Sequence, residues 1–150
     1  MLTLRASVLA LGLLMVAQDP LAARQLDGAS PILCALNEAL ECTPGQECRP
    51  VLLEEVGAPN FLLVDVAAKS VQGVGLGTRT SAIRSVASID GKLILQGAEN
   101  GLEGVRDGLG WSAAISHDSG NLVLSASGDR VAFVVFGSCL ALANRKVAPE

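Results

Sequence analysis

Hydrophobic and polar residues alternate along most of the chain beyond residue 60, and short clusters of turn residues interrupt the alternation. Alternation places successive side chains on opposite faces of an extended strand, so this pattern predicts β-strands joined by hairpins. Asp90-Gly91 separates two such runs, at residues 83–89 and 92–97. Because Asp-Gly accepts the positive φ angles of a two-residue type I′ turn, we expect a hairpin centred on this dipeptide.

The second half of the chain continues in the same way. Residues 110–116 and 121–127 alternate on either side of a polar turn, and residues 130–139 form a longer run that is apolar on both faces. Gly128-Asp129, between the last two runs, is typical of a type II′ turn. In each of the runs 110–116 and 121–127, alternate residues share one strand face, and these residues are Trp111, Ala113 and Ile115 in the first run and Leu122, Leu124 and Ala126 in the second.

Residues 32–43 fit two patterns, since their leucines have helical spacing while other apolar residues alternate as in a strand. The surrounding strands favour the second interpretation. We therefore predict an all-β fold, an antiparallel meander of about seven or eight strands that forms a small up-and-down barrel, with a β-sandwich as the alternative. The barrel is preferred because pairing the first strand with the last leaves no exposed edge.

Four cysteines, Cys34, Cys42, Cys48 and Cys139, allow three disulfide pairings, and geometry excludes one of them. Cys34 and Cys42 would lie about 26 Å apart in a strand and about 12 Å apart in a helix. A disulfide requires Cα atoms within about 7 Å. We favour Cys42–Cys48 across the intervening turn, with Cys34–Cys139 joining the first and last strands. The pairing of Cys34 with Cys48 and of Cys42 with Cys139 stays open.

The first 23 residues have the layout of a secretory signal peptide, with one early arginine, a short apolar run and a small-residue cleavage site. We expect residues 24–150 to form a single disulfide-bonded β domain that is periplasmic or secreted. No later stretch reaches the roughly 18 apolar residues of a membrane span. The formal net charge of −4, with scattered basic residues and few aromatics, gives no footprint for nucleic acid.

Residues that carry catalytic chemistry are scarce, and none of them forms a convergent motif. His117-Asp118-Ser119 are consecutive, so they cannot meet at one reacting atom as a catalytic triad does, and we interpret them as a polar turn. With one histidine and with cysteines expected to be oxidised, we predict no metal site, no cofactor and no enzymatic activity. Glu38 and Asp65 interrupt apolar strand faces, which makes them candidates for polar groups inside a ligand cavity.

Two resemblances to known families bear on function. A group of small exported Gram-negative bacterial β proteins with a four-cysteine pattern resembles this chain at residues 31–35, 41–42, 45–49, 59–65, 93–97 and 133–139. Residues 123–128 are similar to the inhibitory loop, with its Ser-Gly, of the periplasmic inhibitors of C-type lysozyme, which are small antiparallel barrels closed by a disulfide. In those inhibitors a tyrosine follows the loop, and this chain contains no tyrosine.

These observations favour a non-catalytic exported binding protein whose partner is a small apolar ligand or an envelope protein. The alternative, implied by the second resemblance, is an inhibitor of a cell-wall hydrolase that acts through a loop at Ser127, Gly128, Asp129 and Arg130. An apolar cavity would support the first hypothesis, and an exposed rigid loop the second. A third, enzymatic hypothesis would require two carboxylates within about 10 Å of each other across a cleft.

Overall fold

A computed structural model of the protein describes residues 26–75, 79–101, 103–105 and 107–143. Within these residues the chain forms nine β-strands, and no helix there could cross a membrane. In chain order the strands are β1 (Ile32–Cys42), β2 (Arg49–Val51), β3 (Phe61–Asp65), β4 (Ser70–Val74), β5 (Thr80–Ile89), β6 (Lys92–Glu99), β7 (Leu109–Ser116), β8 (Asn121–Ser127) and β9 (Ala132–Ala141). The signal peptide predicted at residues 1–23 lies outside the described residues.

The strands form one antiparallel sheet that closes on itself. Strands β3 to β9 follow one another as a meander, while β1 pairs with β3 on one side and with β9, through ten residue pairs, on the other. In the described part of the chain the barrel thus has eight strands, and β2 is an extra short strand paired with the second half of β1. This arrangement confirms the predicted antiparallel barrel over the alternative sandwich.

Turn residues determine where the hairpins form. Asp90 and Gly91 have φ angles of 48° and 69°, as a type I′ turn requires, so the hairpin predicted between β5 and β6 is confirmed. The turn predicted at residues 117–120 is also present. The type II′ turn predicted at Gly128 is wrong, because its φ is not positive and residues 128–131 together connect β8 to β9.

Strand β1 confirms the strand interpretation of residues 32–43, but it contains a β-bulge. Its register with β9 shifts between Leu36 and Glu38, so Asn37 is an extra residue on the β1 side. An extra residue reverses which side chains face inward beyond that point. Accordingly, Leu36 is buried before the bulge and Ala39 after it, whereas Glu38 is exposed.

One end of the barrel is closed by packed apolar side chains. Residues 26–31, ahead of β1, cross this end, where Leu26 packs beside Gly120 and Gly28 beside Val66. Burying one large aliphatic side chain is worth about 1.5–3 kcal/mol. The opposite end we call the mouth. The connections from β1 to β2, from β2 to β3 and from β8 to β9 lie there, at residues 43–48, 52–60 and 128–131. The largest fully buried side chains of the core are Ile32, Leu93, Leu95, Ile115 and Cys34.

Both predicted disulfides are present, and no cysteine of the described residues is free. Cys34 and Cys139 face each other in the β1–β9 register, with Cα atoms 3.9 Å apart. This bond therefore joins the two strands that close the barrel. Cys42–Cys48 closes the short connection from β1 to β2 near the mouth.

We expect the two disulfides to differ in their contribution to the free energy of unfolding. Cys34–Cys139 spans 105 residues and Cys42–Cys48 spans 6. In the chain-entropy model the longer loop is worth about 4.7 kcal/mol and the shorter one about 2.2 kcal/mol. Urea unfolding of the Cys34→Ala/Cys139→Ala and Cys42→Ala/Cys48→Ala double variants measures both losses. Equal losses, or a larger loss for the second variant, would contradict this expectation.

Candidate binding cavity

The interior of the barrel is not completely filled, because a cavity of about 160 Å³ lies between the closed end and the mouth. The six residues predicted to share one strand face, from Trp111 to Ala126, all line it. Its polar side chains, Arg79, Ser81 and Glu99, lie towards the mouth, at the start of β5 and the end of β6. The aliphatic part of the wall includes Leu36, Leu62, Val71, Leu95, Leu124 and Val135.

The connection from β2 to β3 covers part of the mouth, and we call its residues 56–59 the lid because all four line the cavity. The amide of Ala58 donates to the carbonyl of Leu53 at 2.8 Å, and Leu53 packs against the core. On the other side, the amide of Leu36, next to the bulge, donates to the carbonyl of Asn60 at 2.9 Å. The first hydrogen bond therefore closes the connection on itself beside the core, and the second joins the residue after the lid to β1.

Trp111, the single tryptophan of the sequence, lies along the inner wall of the barrel. It is opposite Gly97 in the register of β7 with β6, and a Cβ atom at Gly97 would lie 2.3 Å from Cζ2 of the indole. The ring thus covers the β6 backbone where no side chain projects. Beyond β6, the indole Nε1 donates to Oγ of Ser81 on β5 at 2.7 Å. A glycine and a serine on two successive strands hold the ring against the wall.

The polar atoms of this arrangement are paired within the wall. Ser81 accepts the indole N–H and donates its own hydroxyl to the carbonyl of Ala98 at 3.0 Å. No polar or charged residue of the described chain is fully buried. Below the mouth, a molecule in the lumen therefore meets aliphatic side chains and the aromatic rings of Trp111 and Phe133.

Arg79 and Glu99 form a hydrogen-bonded ion pair at the mouth. The hydrogen bond to Glu99 and the attraction of its carboxylate raise the pKa of Arg79, and Asp107 adds to this effect, so the guanidinium stays charged. The side chains are 50% and 25% exposed, respectively, and solvent screens the pair. Its contribution to stability is therefore at most about 1 kcal/mol. The pair forms a polar rim between water and the apolar lumen.

The two carboxylates predicted to lie in a cavity are not among the residues that line it. The bulge in β1 turns Glu38 to the outer surface. Asp65 lies at the end of β3, where Leu62 and Val64 face inward, and its Oδ1 accepts the amide of Ala68 at 2.9 Å in the β3–β4 turn. These placements correct the prediction. Glu38 has the alternation of the inward-facing Leu36, and the bulge alone turns it outward, whereas Asp65 belongs to the outward-facing positions of β3.

The loop predicted to contact a partner lies at the mouth end of the barrel, between β8 and β9. Ser127, Asp129 and Arg130 are exposed, whereas Gly128 packs beside Leu109 of the cavity wall. The amide of Gly128 makes a hydrogen bond of 2.9 Å across the loop. The loop is thus short, internally bonded and accessible.

His117, Asp118 and Ser119 form the turn between β7 and β8 at the closed end, away from the cavity. The turn interpretation of these residues agrees with their structure. Across the described residues, no three His, Cys, Asp or Glu side chains are grouped so that they could hold a metal ion.

Sequence reasoning did not find the contact of Trp111 with Gly97 and Ser81. The contact depends on the register of β6 with β7, and residues 100–108 between these strands form too long a connection for its turn residues to determine that register. One signal was available. Gly97 follows Leu93 and Leu95 at alternate positions of β6, and a glycine in such a series indicates that another group lies close to the backbone.

Comparisons with known proteins identify no relative of the chain. No protein-family model matches the chain, and neither does a curated protein or a solved structure. Function is therefore inferred from the geometry of the barrel.

We expect Gly97→Ala to displace the indole from the wall. The new Cβ would also lie 2.4 Å from the carbonyl oxygen of Ala82, so the backbone of β5 resists it as well. Overpacking of this kind costs about 1–3 kcal/mol. Chemical unfolding measures the loss, and a changed Trp111 emission spectrum reports the movement of the ring.

Gly110→Ala is the matched control, because a Cβ at this position of β7 would have no atom within 4 Å. Its stability and emission should stay close to those of the original protein. If Gly97→Ala behaved in the same way as Gly110→Ala, the close contact of Trp111 with β6 would be contradicted.

Proposed function

We propose that the protein is an exported, non-catalytic binding protein that holds a small apolar molecule in the lumen of its barrel. The observation that carries this proposal is the cavity of about 160 Å³, whose walls are apolar and whose indole N–H and serine hydroxyl are already paired. Protein interiors are normally packed to the density of organic crystals, and an empty cavity forfeits packing contacts. A ligand in the lumen would restore those contacts.

The two disulfides support the exported location, since such bonds persist in oxidising compartments. The signal-peptide layout of residues 1–23 supports it independently. We therefore propose a periplasmic or secreted protein that meets its ligand outside the cytoplasm.

The volume of the cavity indicates the size of the ligand. An apolar cavity of about 150 Å³ engineered in another protein stays dry and binds benzene. Burying about 200 Å² of apolar ligand surface is worth about 5 kcal/mol, and this free energy corresponds to a Kd of about 0.2 mM. The lumen thus suits one small molecule held with modest affinity.

Ala113→Leu should abolish binding by filling the lumen. Ala113 is 5% exposed, lines the cavity and pairs with Leu95 and Leu124 in the registers of β7 with its neighbours. The larger side chain has space to occupy, so the variant should fold with a melting temperature equal to or above the original. Calorimetric or NMR titration with toluene, methylcyclohexane and n-hexane measures the loss of binding.

Ala114→Leu is the matched control. It adds the same side chain to the next residue of β7, which faces the outer surface and does not line the cavity. Binding should survive in this variant. The proposal fails if none of the three hydrocarbons binds the original protein, or if both variants bind them equally well.

The exposed loop at residues 127–130 favours a second candidate function, inhibition of a cell-wall hydrolase. Ser127 ends β8 and Gly128 begins a short connection with an internal hydrogen bond at the mouth end of the barrel, where Ser127, Asp129 and Arg130 are exposed to a partner. This function would not use the lumen, so it can be tested separately.

Inhibition of C-type lysozyme by the oxidised protein tests this candidate. If the loop acts as an inhibitor, near-stoichiometric protein should suppress lysis of cell-wall substrate, and Ser127→Lys should remove the effect. Ser125→Lys is the control, because Ser125 is exposed on the same strand two residues before the loop. Full lysozyme activity in excess protein would exclude this candidate.

A further inference from the structure

We propose that the lumen selects a small, uncharged aromatic ring, and that the indole of Trp111 provides the surface on which this ring packs. The inference rests on the proposed function and names the chemical class of the ligand. It follows from three properties of the cavity, namely the orientation of the indole, the volume and the pairing of the polar groups.

The indole presents a face to the lumen. Its benzo ring lies over Gly97, since a Cβ there would be 2.3 Å from Cζ2 and 2.6 Å from Cε2, and its Nε1 reaches Ser81 on the next strand. A planar group that spans from β7 across β6 to β5 must lie along the wall. One face of the indole then covers the β6 backbone, and the other faces the cavity that Trp111 lines.

The cavity has room for about one ring beside this face. Pockets for drug-sized ligands occupy about 300–1,000 Å³, whereas this cavity measures about 160 Å³. Besides the indole, the wall contains Phe133 and aliphatic side chains such as Leu62 and Val71. A long acyl chain or a fused ring system exceeds this space, and a single six-membered ring fits it.

The pairing of the polar groups excludes a charged ligand below the mouth. The indole N–H and the hydroxyl of Ser81 are both engaged within the wall, so a polar group in the lumen would stay unpaired. Burial of an unpaired charge is strongly unfavourable. At the mouth, the charge of Arg79 is already balanced by Glu99.

Aromatic pairs gain free energy beyond the area that they bury, because the negative face of one ring attracts the positive edge of another. The free energy that an aromatic pair usually gains beyond its buried area corresponds to about a 2- to 12-fold higher affinity than that of a saturated ring of equal size. Toluene and methylcyclohexane form such a matched pair. The measurement is the Kd of each from NMR titration of the oxidised protein, with Trp111 emission as a second readout and benzoate as the charged control.

We expect toluene to bind about 2- to 12-fold more tightly than methylcyclohexane, and benzoate not to bind. Trp111→Phe should keep the preference for toluene, because it keeps an aromatic ring at this position. Trp111→Leu should remove the preference while leaving methylcyclohexane bound, whereas Phe133→Leu, at the other aromatic residue of the lining, should keep it. The melting temperature of each variant shows that the barrel is folded at the temperature of the titration.

The outcomes separate this inference from the proposed function. If methylcyclohexane binds as tightly as toluene, or if Trp111→Leu keeps the preference for toluene, the aromatic selectivity is wrong and the binding function stands. Tight binding of benzoate would also overturn the inference. If toluene, methylcyclohexane and n-hexane all fail to bind, the proposed function itself is wrong.

Discussion

The pairing of β1 with β9 is the constraint on which the rest of the structure depends. A meander of strands has two exposed faces, and only closure turns one of them into an interior. Ten residue pairs and the Cys34–Cys139 bond make this closure. A barrel of about eight strands encloses just enough space for its own side chains or for one small ligand. The size of the inward-facing residues then decides between these outcomes, and Gly73, Ala113 and Ala126 leave space at the level of the cavity.

Trp111 could fill much of that space, and two small residues prevent it. Gly97 leaves the inner surface of β6 free, so the indole lies against the backbone. Ser81 on the next strand accepts the indole N–H. A ring turned into the lumen would lose this hydrogen bond in an apolar environment, at a cost of about 1–3 kcal/mol. The hydrogen bond that satisfies the tryptophan thus also keeps the cavity open.

The sequence predicted those features that depend on neighbouring residues. Asp90-Gly91 determines its hairpin through backbone conformation, and the spacing of Cys34 and Cys42 excluded one disulfide pairing by distance alone. The cavity depends on residues that are far apart in the chain. Beyond the bulge at Asn37, the other set of alternate side chains of β1 faces inward, and no residue of the sequence marks this bulge. The position of Gly97 beneath Trp111 requires the β6–β7 register, which the nine-residue connection between these strands does not reveal.

The same reasoning explains why the chain keeps its charges away from the lumen. In the sequence, Glu38 and Asp65 each lie between apolar residues of one strand face, which suggested that they enter a cavity. The outer face of a strand in this barrel also carries apolar residues, such as Phe61 and Leu63 on β3. Glu38 and Asp65 lie on that outer surface, where water solvates them. A lumen of this size has no space for the partners that a buried charge requires. A ligand of the proposed kind would therefore be recognised through shape and an aromatic surface, and Arg79 and Glu99, the charged residues that line the cavity in the described part of the chain, pair with each other at the rim.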